Sequence, residues 1–202
     1  MTPTGGGIIL ASASASRRRL LEAAGVTFRA VSAGVDEGAI KSEHALLNAG
    51  FGDLAAQLAL RKALAVSASQ PSSLVIGADQ VLVFEGEALD KPGSVEIAQQ
   101  QLLRLRGRTH RLETAVVCAR GPDVLWTHVD TPRLAMRDFS SEYLQAYLAA
   151  EGEAVTETVG GYKIEGQGIQ LFESMTGDYF AILGLPLLPL LAFLRAEGVI
   201  AA

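Results

Sequence analysis

Residues 10–21, LASASASRRRLL, set three alternating serines ahead of three consecutive arginines. Just upstream, residues 7–11 form a short apolar run suited to a buried strand. A strand that ends there and turns into a helix aims the backbone N–H groups of the first helical turn at one spot. Helix N-termini attract phosphate through those donors and through the dipole. Ser12, Ser14 and Ser16 add hydroxyls, and Arg17 and Arg18 add charge and forked hydrogen bonds. Together these make a cradle for a polyanion. A plainer reading stays open: a serine-capped helix with solvated arginines, at a small cost, because cations oppose the dipole at that end.

A second candidate is Asp79, which interrupts the apolar run LVIGADQVLVF at residues 74–84. A charge in mid-strand is costly unless it is paired, hydrated or bound to metal. Gly77 and Ala78 leave room beside it. The alternative is an aspartate at a bulge or strand end that bonds local backbone. Lys91 precedes Pro92, which biases it toward an extended conformation; in isolation that segment reads as a surface turn. Lys62 reads as a solvated helix residue, and Asp36–Glu37 as a carboxylate pair in a polar link that suits either a turn or a metal. Combined, an anion cradle, acids able to hold Mg²⁺ and lysines to offset phosphate charge suit hydrolysis of a phosphoanhydride.

Other chemistries find no support. No G-x-x-x-x-G-K-[ST] occurs, and Gly5 to Gly7 precede the first strand instead of following it as a dinucleotide fingerprint requires. His44 and His128 read as surface or edge residues, and His110 as the start of a strand. None has metal-ligand spacing, so zinc is not expected, and no Ser/His/Asp nucleophile is suggested. A net charge of −5 argues against a general nucleic-acid binder.

The elements that must position these groups follow from periodicity and punctuation. After the strand at 7–11, Ser14 or Ser16 caps a helix to about residue 24, stopped by Gly25. A strand is expected at 26–33, then the polar link VDEGAIKSEH. A long helix covers about 43–67, interrupted near Gly50 and Gly52. The strong strand at 74–84 turns at Glu85, Gly86 and Glu87, and a helix at 95–105 ends at Gly107. Residues 109–119 and 124–136, joined at Gly121–Pro122, suit a hairpin. A helix capped by Ser140 runs to about 150, short strands fall at 170–172 and 179–182, and a final helix begins near Pro186. Interleaved helices and strands with one antiparallel hairpin indicate an α/β fold with a mixed sheet.

The chain has 202 residues and is 49% hydrophobic, which suits one domain or two closely packed lobes without a separate linker. Cys118, the only cysteine, lies in an apolar run and reads as a reduced buried thiol, with no disulfide within the chain. The first residues, MTPTGGG, show no secretory signal, and the apolar run at 179–194 is short for a membrane span and holds Pro186 and Pro189. A cytoplasmic protein with no membrane partner is expected.

With these motifs in order, the chain resembles the Maf family of nucleotide pyrophosphatases. The resemblance rests on LASASASRRRLL, VDE at 35–37, LRKALAV at 60–66, GADQV at 77–81, DKPG at 90–93, LRGRTH at 105–110, GGYKIEGQG at 160–168 and GDYFAILGLPL at 177–187. It implies an elongated, twisted mixed sheet with flanking helices, two lobes around a central cleft, and a shape shared with house-cleaning pyrophosphatases of non-standard purine nucleotides. It implies cleavage of nucleoside triphosphates between the α and β phosphates and a need for a divalent cation, Mg²⁺ or Mn²⁺. It implies that Asp79 is the proton acceptor. Ser12, Arg17, Arg18, Glu37, Lys62 and Lys91 match family positions near phosphate or metal, with Glu37 and Asp79 the metal candidates. A homodimer is expected on the same ground.

Substrate choice is carried over residue by residue. Gln80 and Glu165 look like the subgroup acting on 7-methyl-GTP, and a carboxylate at Glu165 can accept the N1–H and N2–H of a guanine edge. Ser16 stands where that subgroup usually has tryptophan, and Ala15 replaces the usual proline of the first motif. Two rival readings remain on the sequence. One is a nucleotide-binding regulator of septum formation, and the other is hydrolysis of a different phosphoanhydride such as a dinucleotide.

Overall fold

The apolar runs at 7–11, 74–84 and 109–119 become strands that are buried along most of their length. The computed structural model describes residues 6–47 and 49–201; Met1–Gly5, which carry part of the glycine run, lie outside the described residues with Asn48 and Ala202. The fold is α/β, with helices flanking an open mixed sheet. Its strands are β1 (Gly6–Leu10), β2 (Phe28–Ala30), β3 (Ser73–Phe84), β4 (Glu87–Leu89), β5 (Thr109–Arg120), β6 (Asp123–Asp130), β7 (Arg133–Met136) and β8 (Phe172–Thr176). Hydrogen bonding runs in the order β2-β1-β3-β5-β7-β8, with β4 on β3 and β6 on β5. The helices are α1 (Ala15–Ala23), α2 (Glu37–Leu47), α3 (Phe51–Ser67), α4 (Val95–Leu105), α5 (Ser141–Glu151), α6 (Tyr179–Ile182) and α7 (Leu187–Ala196). The chain divides into two compact units, each assembled from separate segments.

The first unit comprises Met1–Gln80, Glu113–Asp130 and Asp178–Ala202. Here β1 lies parallel to both β2 and β3, with Leu10 opposite Ala30 on one side and Ile76 on the other. Alternation along β3 separates two faces. Leu74, Ile76 and Ala78 pack with Ile8, Leu10, Leu21, Val116, Leu185 and Leu190 into one core that also holds Cys118. The opposite face carries Gly77 and Asp79 and meets α3. A Cβ on Gly77 would lie 2.2 Å from the Ala59 carbonyl oxygen and 2.7 Å from Ala63 N. Only glycine admits the α3 backbone this close.

The second unit comprises Val81–Leu112 and Thr131–Gly177. The end of β3 pairs antiparallel with β4, Leu82 opposite Leu89. The start of β5 pairs antiparallel with β7, and β7 with β8. Ser94 and Ser140 cap α4 and α5 through their hydroxyls. Buried His110 and Tyr162 pack with half-buried Phe172 in this unit, and His110 Nε2 lies 2.8 Å from the Tyr162 hydroxyl.

Most expected elements are present, and the departures have physical causes. The hairpin arm at 124–136 is split into β6 and β7 at Thr131–Pro132, yet the register is kept across that break: Leu112 N–H still donates to Pro132 O at 3.0 Å. Proline interrupts the ladder because it has no N–H of its own to give. The expected polar link is largely helix α2, started by the Asp36 carboxylate, which accepts from Ala39 N at 3.0 Å, and held by buried Ile40 and His44. His44 is therefore not a surface residue. The long helix at 43–67 is two helices, with Gly50 at the start of the second. The strand expected at 26–33 shrinks to three residues. Residues 179–182 form a helix and not a strand, because Asp178 caps them: its Oδ1 accepts from Ala181 N at 2.7 Å. The strand expected at 170–172 begins only at Phe172, after a 3₁₀ turn at Gln167–Leu171.

Candidate functional site

Nine of the residues singled out in the sequence, Ser12, Ser14, Ser16, Arg17, Arg18, Glu37, Lys62, Asp79 and Gln80, lie in the first unit. The chain leaves β1 at Leu10 and enters α1 behind Ser14, whose hydroxyl accepts from Arg17 N at 3.4 Å. Ser12 is buried, and its hydroxyl accepts from Ser14 N at 3.2 Å. The three arginines part company. Arg17 turns inward: Nε donates to Gly184 O at 2.8 Å, and Nη1 donates to Ala78 O at 2.9 Å and to Ser12 Oγ at 3.3 Å. Three chain segments thus fix one guanidinium. Burial pulls its pKa below the ordinary arginine range, while the negative charges of Asp79 and Glu37 push it back up. Arg18 and Arg19 are exposed, and Arg19 Nη2 donates to Ser16 Oγ at 3.4 Å.

Gly184 is where the Arg17 contact requires glycine. Its φ is +101°, a region that favours glycine, and a Cβ there would sit 3.5 Å from Arg17 Nε.

Asp79 answers the question its place in the strand raises. It is only 7% exposed, and it is paired. Lys62 Nζ, from α3, lies 2.5 Å from Asp79 Oδ1 and 2.6 Å from Glu37 Oε1. The Lys62 side chain is 12% exposed, so the solvated reading of this lysine is corrected. Glu37, the first residue of α2, replaces the expected turn carboxylate with one held at a helix N-terminus, where negative charge is favoured. The result is a row of alternating charge, Glu37–Lys62–Asp79. Removing one member would leave a partly buried charge without its counter-charge, which is costly.

Gln80 faces the other side of β3. Its Nε2 donates to Thr114 Oγ1 at 2.8 Å, Ala181 O at 2.9 Å and Ile182 O at 3.2 Å. Lys91 and Glu165 belong to the second unit. Lys91 is exposed in the segment before α4 and lies within electrostatic reach of Glu157, which Lys163 Nζ binds at 2.8 Å. Glu165 is exposed in the turn closed by Gly166 N–H donating to Lys163 O at 3.3 Å.

Sequence reasoning missed Thr114, Asp178 and the carbonyls of residues 181–184. Thr114 carries no motif signal. Asp178 directly precedes an apolar run, and an aspartate there is a helix-start signal. Among the described residues, no three or more His, Cys, Asp or Glu side chains group as a metal site.

A family model described as Maf-like protein matches residues 7–197. The chain belongs to the Maf family. Similarity to curated members extends over nearly the whole length. A nucleoside triphosphate pyrophosphatase of Granulibacter bethesdensis is 52% identical over 93% of this chain and 95% of its own. One of Rhodospirillum rubrum is 50% identical over 96% of each chain. A 7-methyl-GTP pyrophosphatase of Brucella abortus is 44% identical over 94% of this chain and 96% of its own. In this Maf-family chain, Ser12, Arg17, Lys62 and Asp79, drawn from motifs far apart in sequence, are tied together by direct hydrogen bonds and charge. No helix among the described residues is long and apolar enough to cross a membrane.

Proposed function

We propose that this chain hydrolyses nucleoside triphosphates at the α–β phosphoanhydride, releasing nucleoside monophosphate and pyrophosphate. The names and near-complete coverage of its relatives support this, and do not favour a regulator of septation without turnover. The observation that carries the reading is the cluster of Arg17, Lys62, Asp79 and Glu37. It combines a fixed cation near a helix N-terminus with a carboxylate held on a central strand.

In this reading Ser12, Ser14, Arg17 and Arg18 bind phosphate oxygens, with the α1 N–H groups adding donors. Lys62 occupies Asp79 Oδ1, which leaves Oδ2 to take the proton of the attacking water. Lys62 and Arg17 offset the charge that develops on the phosphates. Glu37 and Asp79 are the residues that would hold a divalent cation. They fit one: both carboxylates already converge on a single ammonium, and two carboxylates suit Mg²⁺, which draws its other ligands from water and phosphate. Such an ion, when bound, supplies Lewis-acid polarisation of a phosphoryl oxygen.

The motif match of Lys91 supports a phosphate role; Ser16, at a base-selecting position, departs from the tryptophan usual in the 7-methyl-GTP subgroup, while Gln80 and Glu165 match it. The last two favour 7-methyl-GTP or a related guanine nucleotide. The test is a screen of canonical and modified triphosphates with Mg²⁺ or Mn²⁺, read as pyrophosphate release. Asp79→Asn is expected to abolish release while nucleotide binding persists. Release by that variant within tenfold of the parent would overturn the assignment of the base.

A further inference from the structure

We infer that Thr114, with the carbonyls of α6, is a positioning residue that holds the Gln80 carboxamide oxygen outward as an acceptor, so that the enzyme selects a base edge offering an N–H donor. The inference rests on the reading of Gln80 as a base-selecting residue and adds its polarity. Gln80 Nε2 meets three acceptors: Thr114 Oγ1, Ala181 O and Ile182 O. The two carbonyls can only accept. The amide nitrogen must therefore face them, and a flipped carboxamide would press its oxygen against both. Thr114 completes the arrangement. Its hydroxyl donates to Ala181 O at 3.0 Å, so it has only lone pairs left for Gln80. Thr114 is fully buried, which makes the loss of any one of these bonds expensive.

With both amide hydrogens directed inward, Oε1 is the only polar atom Gln80 can turn to a ligand. A free glutamine offers donor or acceptor by rotating, and reads either kind of base edge. This one is restricted to donors. Guanine presents two adjacent donors, N1–H and the 2-amino group; xanthine keeps N1–H but carries a carbonyl at position 2, so an acceptor facing that position favours guanine.

The experiment measures kcat/KM for GTP, 7-methyl-GTP, xanthosine triphosphate, ATP, CTP and UTP on the parent, Thr114→Val, Thr114→Ser and Gln80→Met. The parent is expected to prefer GTP over xanthosine triphosphate. Thr114→Val should shrink the spread between best and worst base about threefold to tenfold, the worth of one buried hydrogen bond. Thr114→Ser keeps the hydroxyl and should stay within twofold of the parent. Gln80→Met keeps the length but carries neither the amide nor its acceptor oxygen, and should collapse the spread even if Thr114→Val fails to fold. A uniform fall for all bases, an unchanged spread in Thr114→Val and Gln80→Met, or a parent that favours xanthosine triphosphate overturns the inference. Absence of turnover on every triphosphate by the parent overturns instead the pyrophosphatase reading on which it stands.

Discussion

Gly77→Ala puts the link between packing and chemistry to the test. An alanine Cβ would stand 2.2 Å from Ala59 O, 2.7 Å from Ala63 N and 2.9 Å from Ala63 Cβ, where ordinary contact begins at 3.4 Å. These are backbone and stub atoms of a helix whose Ala59 and Ala63 are fully buried, so no side-chain tip can swing away. The helix itself must back off by about 1 Å. Overpacking of this kind costs about 1–3 kcal/mol. Lys62 rides on the same helix, one residue from Ala63. A shift of that size opens its 2.5 Å contact with Asp79 to about 3.5 Å, past direct hydrogen bonding. If Lys62 has its proposed role, misplacement of about 1 Å should cost up to about a hundredfold in rate. The assay pairs urea unfolding with pyrophosphate release for Gly77→Ala, Lys62→Met and the double variant. If Gly77→Ala acts through Lys62, the double variant loses stability beyond Lys62→Met but little further kcat. A destabilised Gly77→Ala with parental kcat would refute the claim that this close approach sets the Lys62–Asp79 geometry.

Other expectations follow from single side chains. Arg17→Lys cannot reproduce bonds from two guanidinium nitrogens to Gly184, Ala78 and Ser12, and kcat/KM should fall at least about tenfold; full activity would show that the fork is dispensable. Burial holds His110 at about 4 instead of the ordinary 6.5. The unfolded chain therefore gains its proton first as pH falls, and stability drains away from about pH 6.5 down to about pH 4. Between pH 7.5 and 5 the loss is about 2 kcal/mol. His110→Gln should show a pH slope shallower by that amount in urea unfolding, and equal slopes would refute it. Burial pushes the Cys118 thiol up to about 12, so a thiol reagent at pH 8 should label it only as fast as the protein unfolds. Asp178→Ala removes the α6 cap at a cost of about 1 kcal/mol and should raise KM and blunt base selectivity together, with Asp178→Asn restoring both.

The sequence made the strands and the charges visible but not their partners. A mid-strand Asp79 signals that something must neutralise it. Which residue does so depends on how α3 lies across β3, and helical spacing alone left Lys62 looking solvated. The mark of that crossing was present in Gly77 and in the small residues Ala59 and Ala63, which together permit a close helix–strand approach. The α2 segment was hidden for another reason. Gly38 is a poor helix former near its start, and although Ala39, Lys41, Glu43 and Ala45 favour helix, only Ile40 and His44, four apart, are buried, so the segment shows almost no apolar stripe. At α6, four apolar and aromatic residues are too few to show a helical period, so the run reads as strand and the cap at Asp178 decides otherwise. The Ser14 cap of α1, the start of the proposed phosphate cradle, was legible because capping and anion binding use the same local sequence. The division of labour within Arg17, Arg18 and Arg19 was not, since the carbonyls that draw Arg17 inward come from residues 78 and 184.

Those carbonyls give the GDYFAILGLPL motif a function that none of its own side chains suggests. Ala181 and Ile182 face the Gln80 amide, and Gly184 faces the Arg17 guanidinium. One short segment thus orients a proposed base-reading group and a proposed phosphate-binding group at once. Backbone acceptors suit this task. They cannot change protonation, cannot rotate independently, and sit in a turn that Asp178 caps and Gly184 closes with a positive φ. Sequence around the acceptors can therefore vary wherever the main-chain path is kept. The residues that define the path, Asp178 and Gly184, are the ones whose loss should disturb both functions together. The same logic explains why a single substitution at Thr114, outside the motifs, is expected to change which base is chosen and not how fast the phosphates are cut.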